Sequence, residues 1–144
     1  MPKTLYVAMA LCLMVTGGSA AAEGGRKRPS LLTPEVQHAT EIGIQACQEA
    51  KTTGRSVAQL EARGFRPWRG GYRVKVDNPR IFAGDSSVSV SVDRRGDCRV
   101  RVVPMMLPDI ELLQKTTARA LAGRPLSASV VFVGVKDGFE VVLK

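Results

Sequence analysis

The chain has few of the side chains that most often carry out catalysis or bind metal ions. It has one histidine, His38, and three cysteines, and none lies within a few residues of another. No cluster therefore has metal-ligand spacing, and no glycine-rich phosphate loop follows a predicted strand. Because catalysis needs groups that exchange protons or form bonds, we expect a protein that is not an enzyme and binds no metal or cofactor. Carboxylate pairs, such as Asp77 with Asp85, leave a hydrolase as an alternative.

Acidic residues are also few relative to basic ones. The chain has 21 lysines and arginines against 13 aspartates and glutamates, a formal net charge of +8. A cationic surface favours anionic partners. Outside the cytoplasm these are lipid headgroups, acidic polysaccharide or an acidic protein, and we expect no nucleic acid. The alternative is that the charge only keeps the protein soluble.

No hydrophobic run is long enough to cross a membrane. Lys3 precedes an apolar run at residues 5–15, and small residues at 16–22 end in Ala20, Ala21 and Ala22. This pattern is typical of a secretory signal peptide, whereas a span needs roughly 20 apolar residues. We predict a signal peptide at residues 1–22, cleaved after one of the three alanines, and a periplasmic or secreted protein without a transmembrane anchor. The polar, basic residues 23–32 predict a flexible arm, followed by a single domain at residues 33–144.

Two cysteines remain after such a cleavage, Cys47 and Cys98. Disulfides form and persist outside the cytoplasm, so we predict that these two are joined. Thr33, Pro34 and Glu35 begin a helix with good capping chemistry, and Gly54 ends it. Its inward stripe carries Cys47 and is rich in small residues, which would let the helix backbone lie close to a sheet.

Alternating side chains predict the strands. Residues 86–103 read as a hairpin with a valine face and a serine-and-arginine face, residues 72–76 as another strand, and residues 129–144 as a C-terminal hairpin. With Asp137 and Gly138 as its two-residue turn, Phe132 lies opposite Leu143 and Val133 opposite Val142. The order of elements predicts an α+β fold, with an antiparallel sheet of about five strands, two longer helices and one short helix packed on one face, and one disulfide.

Two surfaces are candidate sites. If the valine faces point inward, basic and aromatic side chains share the outer face and predict an anion-binding surface, through charge and stacking: Arg66, Trp68, Arg69, Arg73, Lys75, Arg99 and Arg101. Both faces of the C-terminal hairpin are apolar. If the valine faces of the other strands point inward, four valines of this hairpin are left exposed and predict a protein interface or a homodimer: Val131, Val133, Val135 and Val142. The alternatives are that Trp68 covers a sheet edge and that a loop or the arm covers the valines.

The function that follows is a periplasmic or secreted, non-catalytic binding module with a cationic sheet face for an anionic envelope partner. The alternative is a structural or inhibitory protein-interaction domain that docks through the apolar C-terminal hairpin.

Overall fold

The computed structural model describes residues 29–82, 84–124 and 129–144. The expected signal peptide and residues 23–28 of the expected arm lie outside these ranges. The elements in chain order are α1 (Pro34–Thr53), a 3₁₀ helix (Val57–Arg63), β1 (Arg66–Trp68), β2 (Gly71–Asp77), β3 (Asp85–Val92), β4 (Cys98–Val103), a 3₁₀ turn (Leu107–Asp109), α2 (Ile110–Leu121), β5 (Val130–Val135) and β6 (Gly138–Leu143).

The six strands form one antiparallel sheet in the order β1-β2-β3-β4-β6-β5. The α+β prediction is confirmed, but the expected count of about five strands missed β1. This short strand pairs with β2 through a tight turn at Arg69 and Gly70, whose φ angles are 47° and 76°. A two-residue turn with two positive φ angles usually carries asparagine, aspartate or glycine at its first position. Arginine at that position gives no turn signal, so the strand was not predicted.

Helix α1 begins and ends where its capping residues predict. The Thr33 hydroxyl accepts a hydrogen bond from the backbone N–H of Val36 at 3.4 Å, and Gly54 ends the helix with φ of 69°. A Cβ at Gly43 would lie 2.9 Å from a methyl carbon of Val90, so the helix backbone lies against the sheet. The predicted small-residue stripe therefore has the expected role.

The predicted disulfide is present and joins α1 to β4. Cys47 and Cys98 have Cα atoms 5.5 Å apart, and neither residue is exposed to solvent. Helix α2 packs beside α1, where Arg119 donates a hydrogen bond to Glu41 at 2.6 Å. The core lies between these helices and the inward valines of the sheet.

The C-terminal hairpin forms, but in a register different from the predicted one. Phe132 lies opposite Val141 and Val133 opposite Glu140, a shift of two residues along the strand. The turn uses Lys136 and Asp137, not Asp137 and Gly138, and Asp137 takes a φ of 65°. A two-residue shift keeps every side chain on its predicted face, because the side-chain period of a strand is two.

Gly138 lies in β6 because that strand closely approaches β4. A Cβ at Gly138 would collide with the carbonyl oxygen of Val102 and lie 2.5 Å from a methyl carbon of Val103. The backbone N–H of Met105 also donates to the Asp137 carbonyl at 2.8 Å, which fastens the turn to the chain that follows β4. These tertiary contacts with β4 and the chain that follows it fit the observed register, which the local turn preference does not predict.

The folded part of the chain starts slightly earlier than Thr33. Leu32, the last residue of the expected arm, is 1% exposed and belongs to the core. Ser30 donates a hydrogen bond to Asp109 at 2.7 Å, and the Leu31 carbonyl accepts one from buried Asn78 at 2.8 Å. In the part of the chain that the structure describes, no helix is long and apolar enough to span a membrane.

Candidate functional site

The strand register builds a continuous row of side chains across the outer face of the sheet. Arg66 pairs with Arg73, which pairs with Ser89, and Ser89 pairs in turn with Arg101. Glu140 follows next to Arg101, and Val133 ends the row. The outer face therefore changes across the sheet from cationic at β1 and β2, through serine at β3, to a charge-paired zone and then an apolar edge.

The cationic end is a group of five residues that we call the basic cluster: Arg66, Trp68, Arg69, Arg73 and Lys75. The guanidinium carbon of Arg73 lies 4.2 Å from the centre of the Trp68 ring, and that of Arg69 lies 4.8 Å from it. Both are within the range of cation–π attraction, so half-buried Trp68 orients the two arginines.

Among the described residues, no acidic side chain forms a salt bridge with the basic cluster. Arg66 and Arg73 are direct cross-strand partners, an arrangement of like charges that destabilises a sheet. A depression of about 440 Å³ opens here, and its lining contains no acid: Gly64, Arg66, Pro67, Trp68, Arg73, Val74 and Lys75. An anion entering it would relieve the repulsion between the two arginines.

Arg99 and Arg101, by contrast, already have acidic partners. The buried Glu140 carboxylate accepts hydrogen bonds from Arg101 at 2.6 and 2.9 Å and from Arg99 at 3.2 Å. Arg99 also lies 3.4 Å from Asp93. The hydrogen bond to Glu140 raises the pKa of Arg99. Arg99 and Arg101 lie on the outer face, as the strand alternation predicts, and with Glu140 they form a charge-paired zone beside the basic cluster.

Asp93 is held in its charged form by its surroundings. Partial desolvation raises the pKa of Asp93, but hydrogen bonds from the backbone N–H groups of Asp97 and Arg95, together with Arg99, outweigh it. The net result is a pKa below the ordinary value of 3.8. Asp93 therefore stays ionised through the physiological range and helps to hold Arg99 on the outer face.

Three serines on β3 lie between the basic cluster and the charge-paired zone, and we call Ser87, Ser89 and Ser91 the serine row. All three are half-buried, and their hydroxyls have no hydrogen-bond partner among the described residues. A second depression, of about 210 Å³, opens on the row. Its lining combines hydroxyl, guanidinium and carboxylate groups: Trp68, Arg69, Ser89, Val90, Ser91, Arg99, Arg101 and Glu140.

The predicted valine surface is smaller than expected. Val131 and Val133 are 36% and 38% exposed, and Val135 is half-buried, but Val142 is only 1% exposed. In the sheet register Val142 lies between Arg99 and Val131, in the interior of the outer face. We call the remaining three residues the valine edge, because they lie on β5, the last strand of the sheet.

The residues considered for catalysis do not form one enclosed cluster. His38 is exposed on α1. Asp77 and Asp85 are cross-strand partners at one end of the β2–β3 pair, but both are exposed. Within residues 29–82, 84–124 and 129–144, no group of three or more histidine, cysteine or acidic side chains is arranged to hold a metal ion.

Comparison of the chain with protein-family models, with curated proteins and with solved structures found no match to any of them. The disulfide is typical of a protein that folds outside the cytoplasm. Any statement about function therefore depends on the chemistry of the outer face.

Proposed function

We propose that this protein is an exported, non-catalytic binding module that holds an anionic partner of the cell envelope at the basic cluster. The signal-peptide pattern at residues 1–22 and the buried disulfide support a periplasmic or secreted location. The partner is a lipid headgroup, an acidic polysaccharide or an acidic protein. The exposure of His38 and of the Asp77–Asp85 pair supports a role without catalysis.

The observation that carries this proposal is the uncompensated charge of the basic cluster. Elsewhere on the outer face the arginines have carboxylate partners, as Arg99 and Arg101 have Glu140. Arg66 and Arg73 instead repel each other across adjacent strands beside Lys75, around a depression without an acid. Arginine guanidinium groups form strong charge-assisted hydrogen bonds to carboxylate and phosphate, so an anion is the complementary ligand.

The test is binding of the Arg73→Gln/Lys75→Gln variant to anionic vesicles, an acidic polysaccharide and an acidic protein at two salt concentrations. Each lost hydrogen bond to a charged group is worth about 1.5–3 kcal/mol, so affinity at low salt should fall at least about tenfold. Binding by the native protein should weaken as salt rises.

The matched control is Arg94→Gln/Arg95→Gln, which removes the same charge from two exposed residues at the β3–β4 turn. At the higher salt concentration, which screens long-range charge, this control should bind the partner within about twofold of the native protein. Equal losses in the two variants would mean that net charge alone attracts the partner. That result, or binding that does not respond to salt, would refute the proposed site.

The valine edge supports a second candidate function, docking of a protein partner through the C-terminal hairpin. Strand β5 is one of the two edge strands of the sheet, contains no charge or proline, and exposes Val131 and Val133. Natural edge strands usually carry charges or proline that prevent pairing with another strand. Such an edge is suited to a second copy of the chain or to an extended segment of another protein.

Sedimentation of the Val131→Lys/Val133→Lys variant tests this candidate. If the valine edge docks a partner or a second copy, the variant should lose assembly while its circular dichroism spectrum is unchanged. Val92→Lys is the control, since Val92 is 44% exposed but lies at the end of β3. A native protein that stays monomeric at high concentration and binds no envelope protein would exclude this function.

A further inference from the structure

We propose that the anionic partner is an acidic glycan, one unit of which lies over Ser89 and Ser91 with its charged group directed toward the basic cluster. This inference rests on the proposed function and adds the class of ligand. It comes from the depression over Ser89 and Ser91, which the proposed function does not use.

The second depression, which we call the trough, has Ser89 and Ser91 as its floor. Serine side chains are short, and the neighbouring strands carry longer cationic side chains: Ser89 lies between Arg73 and Arg101, and Ser91 lies opposite Arg99. From Ser89 to Ser91 the strand rises about 7 Å. A trough of this length receives one unit of a linear glycan.

The chemistry of the trough matches a ligand that carries both hydroxyl and acidic groups. The serine hydroxyls can each donate and accept a hydrogen bond, and they have no protein partner among the described residues. Arg101 uses its Nε and one Nη atom on Glu140, which leaves its other Nη for a ligand. Sugar hydroxyls both donate and accept, so they complement this mixture of donors and acceptors, which a bare phosphate or carboxylate does not use.

Trp68 joins the trough to the basic cluster. Its side chain lines both depressions, and Arg73 is stacked on it at 4.2 Å. A glycan unit in the trough would therefore have its acidic group next to an arginine that is already oriented. The serines form a floor below the longer side chains of the neighbouring strands. A glycan chain that enters the trough can therefore reach the serine hydroxyls, whereas a flat membrane surface cannot.

The experiment compares four probes by titration calorimetry: a linear oligouronate, a neutral oligosaccharide of the same linkage, inorganic polyphosphate and vesicles of anionic lipid. The protein is the full mature chain, native or carrying Ser89→Ala/Ser91→Ala. We expect the native protein to bind the oligouronate more tightly than polyphosphate, and the neutral sugar weakly. Loss of two neutral hydrogen bonds predicts about a tenfold weaker oligouronate complex for the double variant, with polyphosphate binding unchanged.

Ser87→Ala is the matched control, because Ser87 lies on the same strand and face but outside the lining of the second depression. It should bind the oligouronate within about twofold of the native protein. Equal affinity for oligouronate and polyphosphate, with no effect of the double variant, would overturn the glycan inference and leave the proposed function intact. Tighter binding to the anionic vesicles than to the oligouronate would likewise overturn the glycan inference and leave the proposed function intact. Failure of every anionic probe to bind would overturn the proposed function itself.

Discussion

Removal of the Cys47–Cys98 disulfide tests how the fold supports the outer face. The bond ties α1 to β4, the strand that carries Arg99 and Arg101, and spans a sequence separation of 51 residues. In the chain-entropy model, a loop of this length contributes about 4 kcal/mol to stability by restricting the unfolded chain. Domains of this size are stable by about 5–15 kcal/mol, so the Cys47→Ala/Cys98→Ala variant should still fold, with a much smaller margin.

Urea denaturation measures this loss. With a urea dependence of about 1–3 kcal/mol per molar, the midpoint should fall by at least about 1 M. Trp68 is the only tryptophan and is half-buried between two arginines, so its fluorescence reports on the outer face while circular dichroism reports on the whole fold. The native protein should lose the same stability when dithiothreitol is added, whereas the variant should not respond to it. An unchanged midpoint in the variant, or two free thiols in the exported protein, would refute this reasoning.

Two further predictions concern the charge-paired zone. Glu140→Gln should lower the free energy of unfolding by about 1–2 kcal/mol, because three hydrogen bonds from partly exposed Arg99 and Arg101 converge on this buried carboxylate. The control is Glu111→Gln, which removes an exposed ion pair. A loss of stability no larger than the control's would contradict the role of Glu140. The pKa of Asp93 is lowered on folding, so its stabilising effect should be present above pH 3.8 and be lost as the pH falls through its lower folded-state pKa. Carboxyl NMR titration should give an Asp93 midpoint below 3.8 that rises in Arg99→Gln, and a midpoint at or above 3.8 in the native protein would contradict the assignment.

Much of the fold was predictable because it depends on local chemistry. The capping residues Thr33 and Gly54 define the ends of α1, and strict alternation of valine with serine or arginine defines β3 and β4 together with their inner faces. The disulfide was predictable for a different reason, since only Cys47 and Cys98 remain after the predicted cleavage. The residues of the basic cluster were also found from sequence, since Arg66 to Lys75 are close together in the chain.

The partners of Arg99 and Arg101 were not predictable. Glu140 reaches them because β6 pairs with β4 after the chain has passed through α2 and β5, and no local pattern states which strands will be neighbours. The alternation of side chains along β6 does predict that Glu140 lies on the outer face. This alternation is the only sign in the sequence that Glu140 could pair with these arginines.

The sequence by itself determined the helix ends, the inward and outward faces of the strands, the covalent link and the excess of positive charge. These properties depend on residues near one another in the chain, or on simple counts. Only the tertiary structure decided which arginines are neutralised and which remain without a carboxylate, because that depends on the side-by-side order and register of strands. The close approach of β6 to β4 requires a glycine at position 138, and this requirement comes from a backbone contact that leaves no periodic trace in the sequence.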